Sequence, residues 1–339
     1  MKQAVKNILN FLLRFGISAA LLVYLYHVVD IDKTVQLISQ ADYKYVVYGL
    51  LLFVVINIFL ILRWAIFIHA LELSAPAYQI VRYFFASLAG NLFLPTSIGG
   101  DFLKIAGLCH HCPDKKHKVV GSVVLDRVSG YCGITLLALV AFLVGFKYVN
   151  DPGLVVPILG MIFVFFGMIF VILNKTLNAW VIARSGKFPR LASGLQKFHE
   201  DMTMMAGKHR YSVLAVIVTC VNQLLFAGCF FLIARALHQE VPFIYFAIFI
   251  PLVCVASAVP SIGGLGAREA GAAYLFAHAG MASGTAVSMS LMTFIYMVVF
   301  GIAGGLYYVF TLSSGRVQHP VPDSGVSGQG TGGAAARPH

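Results

Sequence analysis

Leu94-Pro95-Thr96-Ser97-Ile98-Gly99-Gly100-Asp101 and Val259-Pro260-Ser261-Ile262-Gly263-Gly264-Leu265-Gly266 are two versions of one motif. Each passes from proline through a small hydroxyl residue to Ile-Gly-Gly, and each lies inside strongly apolar sequence. Proline removes a backbone donor and clashes with the preceding turn, and glycine is a poor helix former, so both stretches interrupt helix. In a bilayer an interrupted helix persists only where protein or a polar cavity satisfies the freed backbone. Charge follows both interruptions: Asp101 and Lys104 after the first, Arg268 and Glu269 after the second. Interrupted segments at corresponding places in two halves point to a transporter binding site.

The surrounding composition fixes the solvent. The chain has 339 residues, of which 59% are hydrophobic and 11% charged, with a mean hydropathy of +0.86. Apolar runs of roughly 20 residues recur, long enough to cross about 30 Å of hydrocarbon. The first run, near 10–29, ends in Tyr24, Tyr26 and His27 rather than a small-residue cleavage site, so it reads as a retained helix. A net charge of +11 would suggest nucleic acid in a soluble protein. Here it fits cationic loops facing an anionic leaflet, and no nucleic-acid partner is expected. Four of the six cysteines (Cys132, Cys220, Cys229 and Cys254) fall inside apolar runs, where they fill space rather than form a disulfide framework.

Apolar segments fall at 8–29, 45–70, 79–94, 98–109, 119–146, 154–174, 211–236, 243–259, 263–278 and 285–311. The four short ones flank the two breaks, and each short pair reads as one re-entrant hairpin, 79–109 and 243–278. About six full spans remain, giving an all-α polytopic membrane protein. With the N-terminus in the cytoplasm, fourteen Lys and Arg residues face that side and only Lys33, Lys44, Lys147 and Arg235 face the other. That bias sets the orientation and places both termini in the cytoplasm. The expected organisation is a first membrane repeat at 1–153, a second at 154–312 and a disordered cytoplasmic tail at 313–339. Three crossings per half invert the second copy relative to the first. Gly99 and Gly263 are 164 residues apart, close to half the chain. The halves therefore read as an inverted-topology repeat suited to alternating access.

Between them lies a basic loop, 175–210, in which Leu191, Leu195, Phe198, Met202 and Met205 recur at helical spacing. It reads as an amphipathic helix, lying either on the membrane or on the protein's own cytoplasmic face. Ionisable residues inside the membrane are costly and mark candidate sites. Arg63, Asp101, Lys104, Asp126, Arg127, Arg268 and Glu269 qualify, with Arg82 early in the first hairpin. The functional reading is one polar cavity between the hairpins, with helix N-termini at Gly99-Gly100 and Gly263-Gly264 and nearby arginines suited to an anionic group such as phosphate. The structural reading is that the same charges form ion pairs pinning hairpins to spans, with Asp126, Arg127 and Arg63 near an interface. Cys109-His110-His111-Cys112 has metal-ligand residue types but no second ligand pair, so no metal and no cofactor are expected. The sequence has no Walker motif, G-x-S-x-G elbow or H-E-x-x-H, so the chain reads as a transporter rather than an enzyme.

Several elements, taken in order, resemble the transmembrane region of lysylphosphatidylglycerol synthases and its free-standing, flippase-like relatives. They are Arg63-Trp64; Asn91 through Pro95, Gly99-Gly100-Asp101 and Lys104; Val124-Leu125-Asp126-Arg127 with Gly130; and Pro260-Ser261 through Gly263-Gly264, Gly266, Arg268 and Glu269. Lys104 departs from the arginine often found in the family, keeping the charge but losing the bidentate fork. The resemblance implies a bacterial inner-membrane protein that moves an anionic, aminoacylated or polyprenyl-linked lipid between leaflets, serving a glycolipid or hopanoid pathway in some relatives. It also implies a possible cytoplasmic lipid-modifying enzyme as partner. With about 26 residues after the last span, synthesis of the lysyl lipid by this chain is not expected. The alternatives are an integral-membrane headgroup or glycosyl transferase, with Asp101 and Glu269 as acid and base, and a non-catalytic accessory protein that docks an enzyme through 175–210.

Overall fold

The computed structural model describes residues 36–93, 99–144, 208–257 and 266–315, with a few positions between 159 and 174. The expected first span, nearly all of loop 175–210, the tail beyond 315 and most of the expected span at 154–174 lie outside the described residues. So do both break segments, 94–98 and 258–265, and with them Gly263 and Gly264.

Besides a helical stretch at 36–39 and scattered helical positions at 159–170, the described residues include eight bounded α-helices in the order long, short, short, long, twice over. The first set is α1 (Tyr43–Ala70), α2 (Ala77–Phe93), α3 (Gly99–His111) and α4 (Lys116–Val144), with a 3-10 turn at Pro113–Lys115 leading into α4. The second is α5 (His209–Ala236), α6 (Phe243–Ala256), α7 (Ala267–Ala277) and α8 (Ser283–Gly315). Each helix of the second set starts 166–168 residues after its counterpart, as His209 follows Tyr43 and Phe243 follows Ala77. Among the described residues four helical stretches are long and apolar enough to cross a membrane: Tyr43–Ala70, Pro113–Val144, Arg210–Ala236 and Ser283–Thr311. They coincide with four of the expected spans. At about 1.5 Å per residue, α2 and α3 extend about 26 and 20 Å and α6 and α7 about 21 and 17 Å. Each falls short of the roughly 30 Å hydrocarbon core.

The ends of α1 and α5 match in detail. Asp42 caps α1, its carboxylate accepting from the Lys44 N–H at 2.9 Å. α1 ends at Leu71 with Glu72 in the left-handed region (φ 58°), and the Leu73 N–H reaches back to the Ile68 carbonyl at 3.0 Å. α5 ends at Leu237 with His238 in the same region (φ 57°), and the Gln239 N–H reaches the Ala234 carbonyl at 2.9 Å. These are the six-to-one bonds of a Schellman ending, here without the usual glycine. The two helices run antiparallel. The Asp42 N–H donates to the Ala236 carbonyl at 2.9 Å, and at the other end Lys208 Nζ donates to the Ala70 carbonyl at 2.7 Å. The residue preceding each helix thus binds the last carbonyls of the other, which a helix end leaves unsatisfied.

The remaining packing follows the same exchange. α2 packs on α8 as α6 packs on α4, α2 on α3 as α6 on α7, and α3 on α4 as α7 on α8. α4 meets α5, and α8 meets α1 through the Tyr296 hydroxyl, which donates to the Val46 carbonyl at 2.6 Å. Two buried clusters result. One gathers Trp64, Ile68, Leu71, Phe84, Leu108, Val119 and Val123 around α2 and α3. The other gathers Phe230, Phe246, Phe249, Phe276 and Met289 around α6 and α7, with the Phe246 and Phe276 rings 4.9 Å apart. Leu51, Leu143, Val144, Ile302 and Phe310 stay on the outer surface, as apolar residues facing lipid do.

Candidate functional site

Close contact between α2 and α3 depends on glycine. A Cβ on Gly100 would lie 2.3 Å from the Ser87 carbonyl oxygen, and one on Gly107 would lie 2.2 Å from the Tyr83 ring. Small residues let backbones approach in this way in membranes. At the start of α3 the Gly100 N–H donates to Asn91 Oδ1 at 3.1 Å, so Asn91, near the end of α2, spans the break and caps the next helix. The Gly100 N–H at this N-terminus thus has a partner within the protein.

Three helices bring five charges together. Asp126 of α4 accepts from Arg63 Nε of α1 at 2.6 Å on one oxygen and from Lys104 Nζ of α3 at 3.3 Å on the other. All three residues are buried. Gly130 makes room for Arg63, whose Nη1 would stand 3.2 Å from a Cβ there. Lys104 Nζ also lies 4.8 Å from the Trp64 ring centre and 5.1 Å from that of Phe84, so aromatic faces share its charge. Beside this group Asp101 of α3 accepts from Arg127 Nε of α4 at 2.6 Å, with Arg127 partly exposed. Asp126 and Arg127, adjacent in sequence, thus face different partners. The Asp101–Arg127 pair is neutral, whereas one carboxylate between Arg63 and Lys104 leaves a net positive charge in a buried place. Such a group attracts an anion, and the loss of the Asp126 carboxylate would leave two cations facing each other.

The second break is organised differently. α7 begins at Ala267, with Gly266 before it at φ 88°. Glu269 explains the starting point: its Oε2 accepts from the Gly266 N–H at 2.7 Å, closing the first turn. Its Oε1 accepts from Arg268 and, at 3.1 Å, from the Ser290 hydroxyl of α8. Arg268 Nε also donates to Ser290 Oγ at 2.9 Å. Both residues are buried, neutral as a pair, and tie α7 to α8 as Asp101 and Arg127 tie α3 to α4.

A cavity of about 330 Å³ lies among α1, α2, α5, α6 and α8. Leu88, Asn91 and Leu92 line it from the end of α2, and Cys254 from the end of α6. Asn57 and Leu60 contribute from α1, Asn222, Gln223 and Phe226 from α5, and Phe294, Met297 and Phe300 from α8. Asn57 and Gln223 are 166 residues apart, the offset that relates α1 to α5, so the cavity straddles the contact between equivalent helices. Of the residues singled out from sequence, Asn91 lines the cavity. Arg268 stands behind its wall, with the guanidinium carbon 5.1 Å from the Phe294 ring centre and Nη1 3.5 Å from Met297 Sδ. Arg63, Lys104 and Asp126 sit beyond Leu60, about one helical turn along α1.

Sequence reasoning missed Asn57, Asn222 and Gln223. Their signal was available: amides inside otherwise apolar spans, two of them at matching positions of the two halves. The Cys109–Cys112 stretch closes a corner instead. The Tyr83 hydroxyl and His111 Nδ1 are 2.8 Å apart, and the Cys112 thiol faces the Ser74 carbonyl. Among the described residues no three His, Cys, Asp or Glu side chains converge as metal ligands would.

Fold and site together define a multi-pass helical membrane protein, with buried ion pairs fastening short helices to long ones around a central cavity. The chain belongs to the family of the lysylphosphatidylglycerol synthase TM region, whose family model matches residues 11–305. Comparison with curated proteins found no match.

Proposed function

We propose that this protein is a lipid flippase that moves an anionic, aminoacylated or polyprenyl-linked lipid across the bacterial inner membrane by alternating access. One observation carries the reading: the cavity is lined by the ends of the short helices α2 and α6 and by a pair of equivalent, antiparallel helices, α1 and α5. Transporters place their binding sites at such a repeat interface, where discontinuous helices meet near the midplane. The matched helix order, the constant offset and the exchanged packing support an inverted repeat, because equivalent helices α1 and α5 run in opposite directions. The shortness of α2, α3, α6 and α7, packed as pairs, supports two re-entrant hairpins entering from opposite sides. In this reading the charge bias of the loops puts both termini in the cytoplasm and the first hairpin on that side. The surplus cation at Arg63, Lys104 and Asp126 then draws an anionic headgroup toward the cavity, while the acyl chains stay in lipid.

Rocking of one four-helix set against the other would expose the cavity to each leaflet in turn. The family assignment supports a lipid-related role. The test is leaflet exchange of labelled phosphatidylglycerol and its lysyl derivative in proteoliposomes. Exchange above protein-free vesicles is expected, together with its loss in Lys104→Met and Arg268→Ala proteins that remain folded. Wild-type protein that exchanges neither lipid, while converting one to a new product, would replace transport with the transferase reading.

A further inference from the structure

The cavity differs in chemistry from the charges around it. Four side-chain amides reach it, Asn57, Asn91, Asn222 and Gln223, and among the described residues no Lys, Arg, Asp or Glu lines it. Arg268, behind the wall, is committed to Glu269 and Ser290 and separated from the space by Phe294 and Met297. A formally charged group here would lose its water and gain no counter-charge in contact, which strongly disfavours it. Asn222 adds a second observation. It is 6% exposed, and its Oδ1 has no hydrogen-bond partner among the described residues. A buried carbonyl oxygen left in this state calls for a donor.

Amides both donate and accept, and so do hydroxyls. The apolar remainder of the wall suits the C–H faces of a carbohydrate, and about 330 Å³ falls within the range of small-molecule sites. We infer that the cavity binds an uncharged, hydroxyl-bearing group of the sugar or polyol class, with Asn222 Oδ1 accepting from one of its hydroxyls. Charged parts of the same substrate stay outside, at Arg63, Lys104 and Asp126. This inference deepens the transport reading and rests on it for the claim that the hydroxyl-bearing group belongs to a lipid.

The test uses the full chain in detergent micelles and native mass spectrometry. The probes are monoglucosyl diacylglycerol, diacylglycerol and phosphatidic acid with matched acyl chains, with methyl glucoside as a soluble competitor. Wild-type protein is expected to retain the glucosyl lipid about tenfold better than either control lipid. Asn222→Leu and Gln223→Met should each erase that preference. Asn222→Leu also removes the unpartnered oxygen, so its lipid-free form should unfold at the wild-type temperature or above, separating lost binding from lost folding. Competition by methyl glucoside would assign recognition to the sugar alone; retained lipid preference without competition would assign it to the lipid-borne sugar.

Equal retention of all three lipids, or a preference that survives in both variants, overturns the inference. Specific glucosyl-lipid binding without leaflet exchange of any lipid would sink the transport reading and leave this site intact. Leaflet exchange of phosphatidylglycerol with no sugar preference would do the reverse.

Discussion

Replacing Asp126 by Asn should be the most damaging single change in the charge cluster, and the damage should be partly repaired by also removing Lys104. Among the described residues Asp126 is the only carboxylate in contact with Arg63, at 2.6 Å, and Lys104, at 3.3 Å. Its neutralisation takes the group from one net positive charge to two and leaves both cations buried. Breaking a buried pair in this way costs about 3–5 kcal/mol, because an uncompensated charge remains. Lys104→Met makes the triad neutral. It gives up the longer of the two contacts and the aromatic contacts to Trp64 and Phe84, but also the desolvation of an ammonium. The net change should stay within about 1 kcal/mol. The double variant returns to one positive charge and should be more stable than Asp126→Asn alone by about 1–2 kcal/mol. Equilibrium unfolding in mixed micelles with increasing SDS, read by tryptophan fluorescence, measures all four proteins. The reasoning is refuted if Asp126→Asn unfolds with the wild type, or if the double variant is weaker than Asp126→Asn. Lys104→Met then becomes informative about transport: a fully stable protein that no longer exchanges lipid marks the surplus cation as functional, and undiminished exchange removes it from the site.

Two further outcomes follow from the geometry. Gly100→Ala should lower stability by about 1–3 kcal/mol, since its Cβ would overlap the Ser87 carbonyl oxygen and Asn91; Gly284→Ala, with open space around it, should not, and thermal unfolding of the two proteins compares them directly. Glu72, outside the membrane spans, has its carboxyl pKa lowered by the hydrogen bond from Lys208 and then by the charges of Lys208, Lys118 and Lys115. A lowered folded-state value means that the contribution is complete above the ordinary glutamate value of 4.5 and is lost as pH falls through the folded value. Glu72→Gln should therefore flatten the acid limb of stability below about pH 4.5, whereas Lys208→Met, which also frees the Ala70 carbonyl, should weaken the protein at neutral pH as well. An acid limb identical in wild type and Glu72→Gln would contradict the assignment.

Much of the architecture was legible because it depends on local composition. Apolar runs of span length follow from the thickness of the bilayer, and four of them appear as helices within a few residues of the expected bounds. Pro95 and Gly99-Gly100 fall where α2 ends and α3 begins, since a backbone without a donor or without a Cβ cannot extend a helix cheaply. After the second break α7 starts at Ala267, where the carboxylate of Glu269 fixes the first turn; Arg268 and Glu269 were expected to open this helix.

The sequence by itself determined that this is a helical membrane protein with two interrupted apolar segments, each followed by charge, because hydropathy, proline and paired glycine act along the chain. Only the tertiary structure decided which charges meet. Asp126 turned from its neighbour Arg127 to Arg63 and Lys104, and Asp101 took Arg127 instead, since partners are chosen by the faces that packed helices present to one another. The same packing placed Asn57, Asn91, Asn222 and Gln223 around one cavity. A single amide in an apolar run carries little information; four of them from three helices make a site only once α1, α2 and α5 stand side by side.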